Sequence, residues 1–321
     1  MKVRLGARVA LPSDVLPGEV YTTGQLQSMG VGLGLLRGPQ FVRLEHGIYT
    51  RADNPGLGSY GLQVRAAVVA TGGIGVVTGL TALRLWGIQL PDRLAADTRI
   101  HLLVPRGTIR PRRPGVVVHQ SRNLSELQTA TLRGLTLATP LEAWWQLAAI
   151  ANHEELVQIG EGLIRRKNPI SDLVAIRVFL EHRGGGPIAR RMTTVLSDMR
   201  PGTDSIRETQ MRRWIVNDGL PEPQVNAVIV DTHGQFLAMV DGFIETYHTV
   251  VEYDGAVHNP EANRIRDNDR RRRLRHHGYP VVVATASDIA DPSRFLAEVR
   301  ATLATQAANL GLTPPPTRRS R

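Results

Sequence analysis

The sequence contains no cysteine. That excludes disulfides, thiolate-ligated zinc or iron–sulfur centres and a thiol nucleophile. Lysine is almost missing as well: Lys2 and Lys167 stand alone, and the rest of the 39 basic residues are arginine. Any chemistry beyond residue 167 must work without an amine. Long apolar runs are also lacking. The start, MKVRLGARVALPSDV, has no uninterrupted apolar core of the kind a secretory signal carries. The longest uncharged stretch, between Arg65 and Arg84, is broken by Gly72, Gly73, Gly75 and Gly79. It predicts two buried helices joined at a Gly-Gly turn, not a membrane span. A cytoplasmic protein without a membrane partner is expected.

What is present suits a folded chain of two or three domains: 321 residues, 42% apolar and 21% charged. The formal charge is +10, which favours a polyanionic partner. It is unevenly spread. Residues 1–200 carry 24 basic and 14 acidic residues, and residues 201–305 carry 12 and 15. The run from 306 adds three arginines and no acid. A basic chain thus contains one carboxylate-rich segment.

In the first fifty residues, Thr22 or Thr23 can cap a short helix ending at Gly30. A second short helix fits residues 32–37, and Phe41–Leu44 with Ile48–Thr50 flank a turn at Glu45-His46-Gly47. Helix, helix, hairpin is a winged-helix pattern, or else a small packing module. Residues 57–170 read as mixed α/β, with helices over 62–70 and 76–86 and strands over 99–104 and 115–119. Arg106, Arg110, Arg112 and Arg113 crowd the loop between those strands, to meet phosphates or simply to be solvated. The run Gly73-Ile-Gly75-Val-Val-Thr-Gly79 lacks the strand–turn–helix setting of a dinucleotide loop. The main boundary is expected near residue 200.

The acidic segment carries the chemistry. Ser205 lies three residues before Glu208, a capping-box spacing at a helix start. A strand over 224–230, a turn at Asp231–Gly234 and a returning strand over 236–244 place Asp241 inside a hairpin. The next strand, Thr249–Gly255, puts Glu252 and Asp254 on one face, since side chains alternate. Two acids on a buried face need a positive partner. Either a hard divalent cation binds Asp241, Glu252 and Asp254, with Glu208 approaching from its helix, or arginines of the next helix pair with them. Arg266, Arg270 and Arg273 form a stripe there. His258 either orients a water or phosphate, or shapes a turn. The helix over 261–277, with Arg272 also on it, is a salt-bridged face, a phosphate-contact surface, or both.

From Ser205 to Ile289 the chain resembles the very-short-patch-repair-type endonuclease domains of the PD-(D/E)XK nuclease superfamily. The resemblance rests on Ser205-x-x-Glu208, Asp241, Glu252-Tyr-Asp254-Gly255-x-x-His258, Asp269-x-x-Arg272 with Leu274, Gly278, and Thr285-x-x-Asp288. The first 170 residues resemble the abortive-infection (AbiEi) antitoxin-type architecture, with Gly47-Ile-Tyr49 closing the wing. The resemblances imply an α/β multi-domain chain: a winged helix (1–56), an antitoxin-like α/β and helical region (57–200), and a restriction-endonuclease-like α-β-β-β-α-β core (201–305). A disordered basic tail (306–321) is expected after them. They imply a Mg²⁺- or Mn²⁺-dependent DNA endonuclease with Glu208, Asp241, Glu252, Asp254 and His258 in the catalytic set. Asp241, Glu252 and Asp254 would hold the metal, and Arg266, Arg270, Arg272 and Arg273 would contact DNA. The superfamily motif ends in a lysine where this chain has Asp254, so a second metal, His258 or an arginine would take the lysine's role. The rival reading is an antitoxin-like DNA-binding repressor with a non-catalytic nuclease-like domain. Such a repressor could have a toxin or another protein as partner. A nuclease acting on RNA is a third reading, for which no aromatic stacking motif speaks.

Overall fold

The computed structural model describes residues 10–108, 113–255 and 261–316, with no side-chain description at 261–264. The chain divides into two compact units, residues 1–87 with 92–147, and residues 88–91 with 148–321. Both are mixed α/β. Among the described residues no helix is long and apolar enough to cross a membrane.

The first unit opens with β1 (Val20–Thr22), α1 (Thr23–Ser28), α2 (Leu33–Leu36), β2 (Phe41–Glu45) and β3 (Ile48–Arg51). Thr22 and Gln25 form a reciprocal capping box that starts α1. The three strands pair in the order β1-β3-β2, and Leu26, Val31 and Phe41 are buried among them. Then follow α3 (Tyr60–Ala70), β4 (Val76–Val77), α4 (Gly79–Leu85), α5 (Asp92–Ala95), β5 (Ile100–Pro105), β6 (Val116–Ser121), β7 (Thr129–Leu132), β8 (Leu135–Ala138) and α6 (Pro140–Gln146). Their sheet has the order β6-β5-β4-β8-β7.

The uncharged run around Gly72 is thus helix, strand, helix, where two helices are expected from sequence. The β-branched pair Val76-Val77 joins the sheet beside Leu103 and Leu102. Arg110 and Arg112 of the basic loop lie outside the described residues. Arg113 does not face solvent alone: its Nη1 pairs with Glu45 Oε2 at 2.9 Å.

The second unit begins with α7 (His153–Leu163), α8 (Leu173–His182), α9 (Pro187–Asp198) and α10 (Ile206–Asn217). It continues with β9 (Gln224–Val230), β10 (Phe236–Ile244), β11 (Thr249–Asp254), α11 (Glu261–His276), β12 (Val281–Thr285) and α12 (Ser293–Leu310). The sheet order is β12-β11-β10-β9, antiparallel except for the parallel β11–β12 pair. Val251 of β11 packs with Met211 and Ile215 of α10 and with Phe295, Val299 and Leu303 of α12. Val250 packs with Leu274 of α11 and Val281. Glu252, two residues after Val250, faces the same side.

The expected boundary near residue 200 falls inside this unit. The reason is an ion network: Arg212 of α10 pairs with the fully buried Glu161 of α7, and Arg213 Nε pairs with Glu154 at 2.9 Å. Thr209 Oγ1 donates to Glu161 at 2.7 Å. These bonds tie residues 153–163 to α10, so the helical stretch belongs with the acidic segment. The tail also differs from expectation. Residues 306–310 continue α12, because Ala307 extends the buried Phe295–Val299–Leu303 stripe. Gly311, with φ of 68°, ends the helix in the left-handed conformation. Thr313 then receives the Tyr247 hydroxyl at 3.0 Å.

Candidate functional site

Asp241 stands where β10 and β11 part. Paired residues run from Ile244–Thr249 to Gly242–Val251 and stop there. Beyond that point the ladder bond is replaced: the Tyr253 amide donates to Asp241 Oδ2 at 2.9 Å. A carboxylate takes the place of a backbone carbonyl, and the two strands separate around it. Gly242 is required beside it, since a Cβ there would lie 2.7 Å from a Val251 methyl. Among the described residues Asp241 Oδ1 accepts no hydrogen bond. Burial pushes the Asp241 carboxyl up to about 7, and the Glu208 and Glu252 carboxylates add to that rise. The Tyr253 amide and the Arg270 guanidinium act the other way.

Glu208 reaches this neighbourhood from the first turn of α10. The Ser205 hydroxyl caps the helix by accepting from the Glu208 amide at 3.2 Å and donates to Oε1 at 2.9 Å. Glu208 Oε2 accepts from the Asp204 amide at 2.8 Å and from Asn226 Nδ2 at 3.0 Å. Asn226 also donates to Gly202 O at 2.7 Å. Its backbone is left-handed, with φ of 48°. Asparagine tolerates that conformation better than most residues. Asn226 escapes sequence reasoning; its one signal is a polar residue amid the apolar run Val225–Val230.

Glu252 is 2% exposed and carries two cations from α11. Arg270 Nη1 pairs with Oε1, and Arg271 Nε pairs with Oε2 at 3.0 Å. Arg271 Nη2 also reaches Asp254 Oδ2 at 3.2 Å. Arg270 has further anchors, the Met239 carbonyl at 3.1 Å and Asp267 at 3.5 Å. Arg270, expected either on a DNA-contacting stripe or paired with these acids, is turned inward onto Glu252. Arg271, outside that stripe, clasps two acids of β11. Arg266, Arg272 and Arg273 are exposed. Arg272 meets Asp269 at 3.1 Å on the open surface. His258 lies outside the described residues.

Two of the expected metal-binding acids, Asp241 and Glu252, are thus brought together with Glu208. Asp254 is engaged by Arg271. Among the described residues no group of three His, Cys, Asp or Glu side chains is arranged to hold a metal ion. The donor chemistry at Asp241 still fits a hard divalent cation: an unpartnered, half-buried carboxylate oxygen beside two further carboxylates. Glu252 offers oxygens of the same kind, at present shared with guanidinium groups.

No family model matches the chain, and no curated protein matches it. Among solved structures, the chain is similar to the crystal structure of the RV2827C protein from Mycobacterium tuberculosis. Identity is 17%, the match covers 56% of this chain and 71% of that one, and the TM-score is 0.38. A likeness of that degree carries no argument about what this chain does.

Proposed function

We propose that the chain is a metal-dependent DNA endonuclease acting on backbone phosphodiesters, with the site on its second unit. One observation carries this reading: Asp241 has a carboxylate oxygen without a partner, at the point where β10 and β11 separate and beside Glu252 and Glu208. A half-buried carboxyl held near 7 by desolvation and like charges calls for a positive ligand, and perturbed groups of this kind mark functional sites. When bound, Mg²⁺ or Mn²⁺ would supply an activated water and offset the charge that develops on phosphorus-bound oxygens. Asp241 and Glu252 would hold it. Glu208, fixed by Asn226 and the Asp204 amide, supports the negative potential at that point. Asp254 orients Arg271. Arg266, Arg272 and Arg273 present charge to phosphates, and His258 is kept as a candidate for the attacking side.

Residues 20–51 are read as a winged helix that adds affinity without reading sequence. The residues of α2, Leu33-Gly-Leu-Leu36, have no side-chain donor or acceptor with which to address a base edge.

The second reading, a DNA-binding repressor with a non-catalytic nuclease-like domain, is favoured by one observation: Arg270 and Arg271 already neutralise Glu252. Nicking of supercoiled plasmid separates the two. The expected outcome is cutting with Mg²⁺ or Mn²⁺, none with EDTA, and loss of at least about 100-fold in Asp241→Ala and Glu252→Ala. Salt-sensitive DNA binding with no cutting, unchanged in both variants, would favour the repressor.

A further inference from the structure

The acids of β11 and the arginines of α11 are arranged for exchange. A guanidinium and a divalent cation compete for the same oxygens of Glu252. A phosphate and a carboxylate compete for the same guanidinium, whose planar fork suits either. The two arginines are held unequally. Arg270 keeps the Met239 carbonyl and Asp267 if it leaves Glu252. Among the described residues Arg271 has Glu252 and Asp254 alone. Arg271 is 15% exposed and lies on the same helix as the exposed Arg266, Arg272 and Arg273. A backbone that lands on Arg272 and on the exposed Arg275, one helical turn beyond Arg271, arrives next to it.

Neither exchange is favourable by itself. If phosphate removes Arg271, one oxygen of a nearly buried carboxylate loses its counter-charge. If a cation takes that oxygen first, Arg271 is left with Asp254 alone. When both ligands bind, each charge finds a partner. We propose that Arg271 is a latch: it occupies Glu252 until a phosphodiester backbone draws it off, so that DNA and the divalent cation bind cooperatively. The proposal rests on the nuclease reading above. By linkage, each ligand must raise the other's affinity by the same factor.

The test is a Mn²⁺ titration of the full chain followed by electron paramagnetic resonance, with and without a short DNA duplex. Asp241→Asn with the same duplex supplies the background of Mn²⁺ bound by DNA itself. Wild type is expected to bind Mn²⁺ about tenfold or more tightly when the duplex is present, a usual size for coupled sites. Arg271→Gln is expected to bind tightly without duplex and to gain little from it, whereas Arg270→Gln keeps the duplex dependence. The reciprocal measurement, duplex affinity by fluorescence anisotropy with and without Mn²⁺, should give the same factor in wild type and needs no variant. Equal Mn²⁺ affinity in wild type with and without duplex would overturn the latch while leaving the metal site standing. So would an Arg271→Gln protein, folded by circular dichroism, that titrates like wild type. No Mn²⁺ above the Asp241→Asn background under either condition would instead remove the nuclease reading, and the latch with it.

Discussion

At the residue scale the decisive group is Asp241. Its carboxyl is held near 7, well above the ordinary aspartate value. A raised value means that the folded protein holds this proton where the unfolded chain has lost it. The stabilisation from this proton is full below about pH 4 and is lost as pH rises through about 7. In EDTA, Asp241→Asn should therefore gain on wild type across that window, by up to about 1.4 kcal/mol per pH unit. Urea unfolding of both proteins at pH 4.5, 6 and 8 checks this as a difference, which cancels the other titrating groups. A constant difference at all three values would contradict the assignment. The acids themselves were legible in the sequence, because strand alternation fixes which of them share a face. Their arginine partners were legible only in part: the stripe included Arg270 but not Arg271. Seven arginines in the 16 residues of α11 put a cation on every stripe, so charge pattern alone selects no face. The one buried apolar residue among those of the helix whose side chains are described does: Leu274 points into the core, and positions three and four before it are Arg271 and Arg270. The stripe through Arg266 and Arg273 lies beside that face, next to Arg270.

At the scale of elements, α7 and α10 are joined by an ion pair deep in the second unit. Burial raises the Glu161 carboxyl above its ordinary value, although Arg212, Thr209 and the Arg200 amide all favour its charged form. A buried pair adds little net stability, yet removing one partner is costly. Arg212→Ala should destabilise the chain by about 3–5 kcal/mol, because Glu161 would stay buried without its cation. Replacing both, as Glu161→Met with Arg212→Leu, should cost less than that single change. Chemical denaturation of the single and double variants decides it, and a double variant worse than Arg212→Ala would refute the account. Nothing in the sequence announces the contact, since the two residues are 51 apart. The same blindness to distant partners explains the displaced domain boundary. Local chemistry, by contrast, was open to reading and in one place was passed over. Arg133 and Gly134 both adopt positive φ, 49° and 75°, and turn β7 into β8. A Gly between two short β-branched or leucine-rich runs is a hairpin signal.

At the scale of the whole molecule, charge is divided between partners inside the protein and charge left facing solvent. In α11, Arg270 and Arg271 belong to the first class, and Arg266, Arg272 and Arg273 to the second. The Arg272–Asp269 pair is exposed on both sides and adds little stability, so a phosphate can displace it. Replacing Arg266, Arg272 and Arg273 together by alanine should weaken duplex binding at all sequences alike. It should also flatten the plot of log affinity against log salt by about one unit for each arginine that meets a phosphate. Anisotropy titrations from low to moderate salt measure that slope, and an unchanged slope would place the contact surface elsewhere. The arginine-only chemistry of this helix has one more consequence. A guanidinium keeps its proton at every pH a cell reaches, and from residue 168 onward there is no side-chain amine for acylation or ubiquitin-type conjugation to find. On the proposed nuclease reading, the attraction of this surface for a polyanion is therefore a fixed setting. No change of acidity and no lysine-directed enzyme can turn it down; ionic strength and competing anions can.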